Sequence, residues 1–192
     1  NNYLLSFIIA TLYFLFNRYA IQHFDEDAYI LYRYVDMFNK GYGITYYPGA
    51  QPIEGATDFL WLVMLIGISK LGFDVGTAAI LLNSIGVFIV NFVLLKLIFR
   101  IENITQRIFF ASISILWLLF YPFIAAIGGF SVLMYCGLFI IPLFLIHDRI
   151  HLAYIPLFAI LLGLFRPDGV ILGFFLTLIT LYLLIKEKRN NV

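Results

Sequence analysis

The chain has 192 residues, of which 63% are hydrophobic and only 12% are charged. Soluble globular proteins carry roughly 45–50% apolar and about 25% charged residues, so this composition excludes a water-soluble domain and points to a lipid environment. A net charge of +1 leaves no basic patch for a nucleic-acid partner, and the one cysteine, Cys136, excludes an intramolecular disulfide framework.

Five apolar runs are long enough to cross a bilayer, since a transmembrane helix needs about 20 apolar residues, with a range of roughly 17–25. In chain order they are Tyr3–Ala20, Val75–Phe99, Ile108–Ile127, Phe130–Ile146 and Val170–Ile185. Two further runs, Phe59–Leu71 and Ala153–Phe165, are shorter. The second of these crosses if it extends by one residue and tilts.

The distribution of basic residues decides the topology. If Phe59–Leu71 does not cross and the N-terminus is cytoplasmic, seven of the 12 basic residues lie in short cytoplasmic loops and five lie outside. If that run did cross, the basic residues near the C-terminus would face outward. We therefore predict an all-α, polytopic integral-membrane bundle of about six transmembrane helices with both termini cytoplasmic. Residues 59–71 are then an interfacial or re-entrant helix at the outer surface.

The first outer loop, residues 21–58, carries over half of the acidic residues. It holds six of the chain's 11, namely Asp25, Glu26, Asp27, Asp36, Glu54 and Asp58. Apolar residues recur at helical spacing through residues 25–40 and predict an amphipathic helix in the membrane interface, with Ala28, Leu31, Val35 and Phe38 on its apolar face. Gly41 is expected to end that helix, and Asp36 and Lys40 are spaced to form an ion pair.

The three consecutive acids Asp25, Glu26 and Asp27 have two interpretations. Acidic residues in the first turn of a helix offset its dipole, which contributes about 0.3–1 kcal/mol each. Three adjacent carboxylates exceed what a helix start needs, however, and are also candidates for a general base. They could bind a divalent cation through oxygen ligands, but no spacing in the chain demands one, so no metal ligand or cofactor is predicted.

The stretch Glu26-Asp27-Ala28-Tyr29-Ile30, followed by Arg33-Tyr34, resembles the acidic motif that opens the first extracytoplasmic loop of GT-C superfamily glycosyltransferases. The closest likeness is to bacterial arabinofuranosyl- and mannosyltransferases that use polyprenyl-phosphate sugars. The resemblance continues in order through Asn39-Lys40-Gly41-Tyr42-Gly43, Tyr47-Pro48-Gly49, Ile53-Glu54-Gly55-Ala56-Thr57-Asp58-Phe59-Leu60-Trp61, Gly128-Gly129-Phe130 and Leu164-Phe165-Arg166-Pro167-Asp168-Gly169. The chain starts without Met and stops just after Lys186-Glu187-Lys188-Arg189, so we expect a fragment of a longer protein, a single transmembrane module over residues 1–192. The resemblance implies that this is the N-terminal module of the enzyme.

The resemblance implies a mechanism. A loop carboxylate deprotonates an acceptor hydroxyl on a glycan, lipid or protein, and that oxygen attacks the anomeric carbon of a polyprenyl-phosphate sugar with inversion. The family motif usually starts with two acids, often both Asp, so the base would be Asp27 or Glu26, with Asp25 as an extra candidate. The enzyme would lie in the plasma (inner) membrane with its active face extracytoplasmic.

Five further residues are predicted to bind substrate, namely Arg33, Glu54, Asp58, Arg166 and Asp168. Each also has a structural interpretation. Arg33 either pairs with Asp36 or orients the carboxylates and the donor phosphate. Arg166 either contacts that phosphate or pairs with Asp168, and an arginine between two apolar helices is costly enough to need such a reason. Glu54 and Asp58 are also typical of a helix start, and Trp61 of an aromatic belt at the lipid boundary.

Two other classes of protein remain open. A transporter or flippase of a lipid-linked or small polar substrate typically places polar residues at mid-membrane depth in broken, inverted-repeat helices. The chain has no internal repeat, and its polar residues within spans are few and scattered. A non-catalytic remnant is the other alternative, because GT-C enzymes generally carry more spans than this chain.

Overall fold

The computed structural model describes residues 2–20, 24, 26–51, 57–125 and 129–190, and these residues form an all-α structure without strands. The α-helices are α1 (Asn2–Ala20), α2 (Glu26–Asn39), α3 (Phe59–Ser69), α4 (Val75–Ile98), α5 (Ile104–Ala125), α6 (Val132–Asp148), α7 (Ile155–Phe165) and α8 (Gly169–Asn190). A short 3₁₀ turn, Leu152–Tyr154, precedes α7. By length and composition, α1, α4 and α8 are able to span a membrane.

Helix α4 packs along both α1 and α6. It runs antiparallel to α1, because Tyr3 at the start of α1 stacks on Phe92 near the end of α4, with ring centroids 4.5 Å apart. At the other end of the pair, Asp74 caps α4 by accepting a 2.9 Å hydrogen bond from the Thr77 backbone N–H. Partial burial opposes ionisation there, but the hydrogen bonds from Thr77 and the charge of Arg18, near the end of α1, lower the pKa of Asp74.

Helices α4 and α6 run parallel and pack very closely. A Cβ placed on Gly86 of α4 would overlap the backbone carbonyl of Leu133, and one placed on Gly137 of α6 would lie 3.0 Å from the Gly86 Cα. At the far end of the pair, Arg100 donates hydrogen bonds of 2.5 and 2.8 Å to the two carboxylate oxygens of Asp148. The absence of a side chain at the two glycines therefore sets the separation of these helices.

Helices α7 and α8 form an antiparallel hairpin. A Cβ on Gly169 would overlap the carbonyl of Leu162, and one on Gly173 would lie 2.8 Å from the carbonyl oxygen of Ala159. Near the opposite end of α8, Glu187 lies 3.8 Å from Arg149, which follows α6. The hairpin thus aligns with α6 at the end where Arg100 and Asp148 meet.

Helices α2 and α3 are short, and each buries one face. At about 1.5 Å per residue, the 11 residues of α3 extend about 17 Å, well short of the roughly 30 Å hydrocarbon core. Helix α3 contacts α2, α4 and α7, and three of its side chains, Trp61, Leu62 and Leu65, are fully buried. Trp61 is therefore in the protein core, and the expectation that it faces lipid in an aromatic belt is wrong.

Helix α2 follows the predicted amphipathic pattern. The structure describes it from Glu26 to Asn39, within the predicted range 25–40, whose first residue lies outside the described residues, and Gly41 follows the helix with a φ of +85°. The apolar face is buried, with Ala28 and Val35 at 0% exposure. Tyr34 and Met37, outside that predicted face, are buried as well. Tyr34 packs edge-on against Tyr46, with ring centroids 5.7 Å apart.

These pairings divide the described charged residues between two ends of the bundle. One end, which we call the loop end, contains the starts of α2, α3, α4, α6 and α8. The other, which we call the basic end, contains Lys96, Arg100, Arg107 and Arg149, together with Asp148 and Glu187. The described part of residues 21–58, Gly129 and the turn from Arg166 to Gly169 thus lie together at the loop end.

The close contact between α4 and α6 predicts a specific sensitivity to a single methyl group. Gly86→Ala should destabilise the protein by about 1–3 kcal/mol, the usual range for overpacking, and lower its melting temperature in detergent. Gly67→Ala in α3 is the matched control, because a Cβ there meets nothing within 4 Å and alanine favours a helix. Equal melting temperatures for the two variants would contradict the packing.

Candidate functional site

The first turn of α2 lies against the segment that leads into α6. Glu26 and Asp27, the predicted catalytic acids, are both exposed at this turn. Gly129 packs one turn further along, where a Cβ would overlap the Tyr32 hydroxyl and lie 3.2 Å from the Ala28 Cβ. With its φ of +55°, Gly129 is a position that requires glycine, and this contact fixes the predicted catalytic acids relative to α6.

A side chain from the middle of α4 holds the same segment in place. The Asn83 amide donates a 2.8 Å hydrogen bond to the Phe130 carbonyl, and its oxygen accepts a 3.2 Å bond from the Met134 backbone N–H. Asn83 therefore satisfies one of the free N–H groups at the start of α6. Ser131, at the N-cap position of that helix, makes no side-chain cap and is available for another partner.

That partner is Asp58. The Ser131 hydroxyl donates a 2.6 Å hydrogen bond to Asp58 Oδ2, and the Thr57 hydroxyl lies 3.4 Å from Oδ1. Asp58 is only 7% exposed and makes no side-chain cap on α3. The helix-start interpretation of Asp58 therefore does not describe its side chain, which is a buried carboxylate directed at α6.

Arg166 is the residue directly after α7. Its Nε donates a 3.1 Å hydrogen bond to Asp168, and its guanidinium carbon lies 5.8 Å from the centre of the Tyr135 ring. Partial burial opposes the charged form, but the hydrogen bond to Asp168 and the nearby charge of Asp58 raise the pKa of Arg166. The intraloop ion pair with Asp168 exists, and Arg166 also lies within the electrostatic influence of Asp58, although no described hydrogen bond or ion pair joins the two.

Arg33 lies in a different network. Its Nη1 is 3.1 Å from the Asp36 carboxylate, which Lys40 also contacts at 2.8 Å. Its Nε donates a 3.0 Å hydrogen bond to the Tyr46 carbonyl. Arg33 therefore anchors residues 41–50 to α2, and among the described contacts it does not join Asp58 or Arg166.

Two predicted site residues, Asp25 and Glu54, lie outside the described residues. Within the described residues, no group of three His, Cys, Asp or Glu side chains is arranged to hold a metal ion. The roles of Asp25 and Glu54 therefore stay predictions from the sequence, and the sequence does not require a divalent cation.

Three buried polar atoms belong to residues that were not among the predicted site residues. The hydroxyls of Tyr32 and Tyr135 and the indole nitrogen of Trp61 have no hydrogen-bond partner among the described residues. Burial raises the pKa of Tyr32, so its hydroxyl stays a proton donor. An unpaired buried polar group costs about 1–3 kcal/mol, which makes such atoms candidates for ligand contact. The only sequence signal for Tyr135 is its spacing of four residues from Ser131.

Comparison with known proteins supplies no assignment for this site. No family model matches the chain, and no curated protein or solved structure matches it either. Within the described residues the structure is all-α, and three of its helices are long and apolar enough to span a membrane.

The contact between Ser131 and Asp58 predicts a stability effect. Ser131→Ala removes the shorter of the two described hydrogen bonds to a buried carboxylate, so we expect a loss of about 1–3 kcal/mol. Thr11→Ala is the control, because the Thr11 hydroxyl is exposed and bonds only within its own helix. Thermal unfolding in detergent measures both, and a Ser131→Ala protein as stable as the control would contradict this arrangement.

Proposed function

We propose that this chain is a membrane module of a glycosyltransferase of the GT-C type, which transfers a sugar from a polyprenyl-phosphate donor to an acceptor hydroxyl. One observation carries the proposal. The exposed acids at the start of α2 lie at the same end of an apolar bundle as the buried Asp58 and the cationic Arg166. Such an end offers a base and polar contacts to a substrate whose tail lies in lipid.

The proposed topology has six crossings. They are α1, α4, α5, α6, α7 with its preceding 3₁₀ turn, and α8, while α2 and α3 stay at the loop end. The observed directions are compatible with this count, since α1 and α4 are antiparallel, α4 and α6 are parallel, and α7 and α8 are antiparallel. Lysine and arginine favour the cytoplasmic side, so the basic end is inside and the loop end is extracytoplasmic, in the plasma (inner) membrane.

In the proposed reaction, the carboxylate of Asp27 or Glu26 removes the proton from the acceptor hydroxyl. The acceptor oxygen then forms a bond to the anomeric carbon, and the bond from that carbon to the phosphate oxygen breaks. The electron pair leaves with polyprenyl phosphate, and the configuration of the sugar inverts. Both acids are exposed on the first turn of α2, where an acceptor from the aqueous side has access to them.

The assignment of the base is testable by isosteric substitution. Asp27→Asn or Glu26→Gln should lower sugar transfer about 10²–10⁴-fold, the usual contribution of general acid–base catalysis. Transfer of radiolabelled sugar from a polyprenyl-phosphate donor, with the full-length protein in membranes, gives the measurement. Asp36→Asn is the control, because Asp36 lies on the same helix in an ion-pair network. Full activity in both test variants would exclude these acids as the base.

The orientation is testable by labelling single cysteines in a Cys136→Ser background. A membrane-impermeant maleimide should label Asp36→Cys in intact cells, because this position lies at the loop end. Glu187→Cys at the basic end should react only after permeabilisation. The reverse pattern would invert the topology and place the acids in the cytoplasm.

A further inference from the structure

Four polar side chains from three parts of the chain lie next to one another at the loop end, and we call them the Arg166 cluster. The Asp58 carboxylate, before α3, accepts a hydrogen bond from Ser131 at the start of α6, and the Arg166 guanidinium, directly after α7, lies 5.8 Å from the centre of the Tyr135 ring. Ser131 and Tyr135 are four residues apart and therefore lie on one face of α6. Trp61 and Tyr135 both pack on Phe165, with ring centroids 6.0 Å apart in each pair.

The Arg166 cluster and the neighbouring Trp61 have hydrogen-bond donors and acceptors that the described residues do not use. Tyr135 is 9% exposed and Trp61 is fully buried, and neither the Tyr135 hydroxyl nor the Trp61 N–H has a partner among the described residues. A guanidinium has five N–H donors, of which the described contacts of Arg166 use the Nε–H. A carboxylate offers about four acceptor sites, and at Asp58 two hydroxyls occupy part of them.

The charge of the cluster, taken together with that of Asp168, which pairs with Arg166, selects the chemistry of the ligand. Asp58, Asp168 and Arg166 together carry a formal charge of −1, and no other described cation is paired with either carboxylate. A phosphate would add negative charge beside two carboxylates, and like charges in close contact are strongly unfavourable. Neutral hydroxyl groups have no such conflict, because each both donates to a carboxylate and accepts from a guanidinium or a phenol.

We propose that the Arg166 cluster binds the hydroxyl groups of a neutral sugar ring. The Asp58 carboxylate accepts from one hydroxyl, and Arg166 and the Tyr135 hydroxyl donate to others. Arg166, with its side chain 34% exposed, forms the solvent side of the cluster, and it turns from the Tyr135 ring toward the ligand. This differs from the phosphate contact that the family resemblance suggests for Arg166.

The cluster is close to the proposed base. Ser131 contacts Asp58, and Gly129, two residues earlier, contacts the first turns of α2. Two residues of extended chain span about 7 Å, so the sugar site and the acids of α2 lie on either side of one short segment. The identification of the ligand as a substrate sugar rests on the proposed glycosyltransferase function, whereas the binding chemistry does not.

The fluorescence of Trp61 would report ligand binding directly. The chain has two tryptophans, so Trp117→Phe leaves Trp61 as the only one, packed on the same Phe165 ring that Tyr135 of the cluster contacts. We would titrate this protein in detergent with methyl mannoside, methyl arabinofuranoside and, separately, inorganic phosphate. The expected result is a saturable change in Trp61 emission with at least one glycoside and none with phosphate. Saturation by phosphate alone, or no saturable change with either glycoside, would overturn the proposal.

Tyr135→Phe tests the residue without removing the ring. The variant should bind the glycoside about tenfold more weakly, the usual effect of one lost hydrogen bond. Its melting temperature should be unchanged or higher, because the hydroxyl that it loses has no described protein partner. A purely structural role for Tyr135 predicts unchanged binding instead, and that result would exclude Tyr135 from the site. Tyr182→Phe is the matched control, since Tyr182 is 62% exposed on α8.

Kinetics separate this proposal from the proposed function. If the protein transfers sugar, Tyr135→Phe should raise the KM for the substrate whose sugar occupies the cluster, donor or acceptor, by about tenfold, and leave the other KM unchanged. Transfer with both KM values unchanged would refute the sugar site and keep the glycosyltransferase. Saturable glycoside binding without any transfer would keep the site and refute the glycosyltransferase.

Discussion

The close packing of α4 on α6 is the constraint on which the loop end depends. Gly86 and Gly137 allow the two backbones to approach until a Cβ no longer fits between them. At this separation Asn83 reaches the start of α6 and bonds both Phe130 and Met134. Hydrogen bonds require a specific direction between donor and acceptor, whereas apolar packing does not. These bonds therefore fix the position of residues 129–131, and with it the position of the residues of α2 and the Asp58 carboxylate that contact this segment.

Residues 129–131 connect the two parts of the candidate site. On one side, Gly129 receives the Tyr32 hydroxyl and the Ala28 methyl group of α2. On the other, Ser131 bonds the buried carboxylate of Asp58. Because Asn83 caps α6, Ser131 does not have to, and its hydroxyl is used across the helix interface instead. The proposed base and the proposed sugar site are thus positioned by the same three residues.

Much of the fold could be predicted from hydropathy alone. The helices α1, α4 and α8 fall close to the predicted apolar runs, and α3 is as short as its interrupted pattern indicates. The candidate site was predictable only in part. The charged members Asp58, Arg166 and Asp168 stand out in an apolar chain. Tyr135 and Ser131 do not, because one tyrosine and one serine in an apolar run also suit a membrane interface.

The sequence by itself determined that this is an apolar helical chain with over half of its acidic residues in one loop, since both follow from composition and local periodicity. Only the tertiary structure decided which of those residues meet. The contact between Asp58 and Ser131 joins residues 73 positions apart, and no local pattern encodes such a pairing. This contact depends on how closely the helices pack. Glycines set that separation, and the sequence alone does not show which backbone lies opposite each glycine.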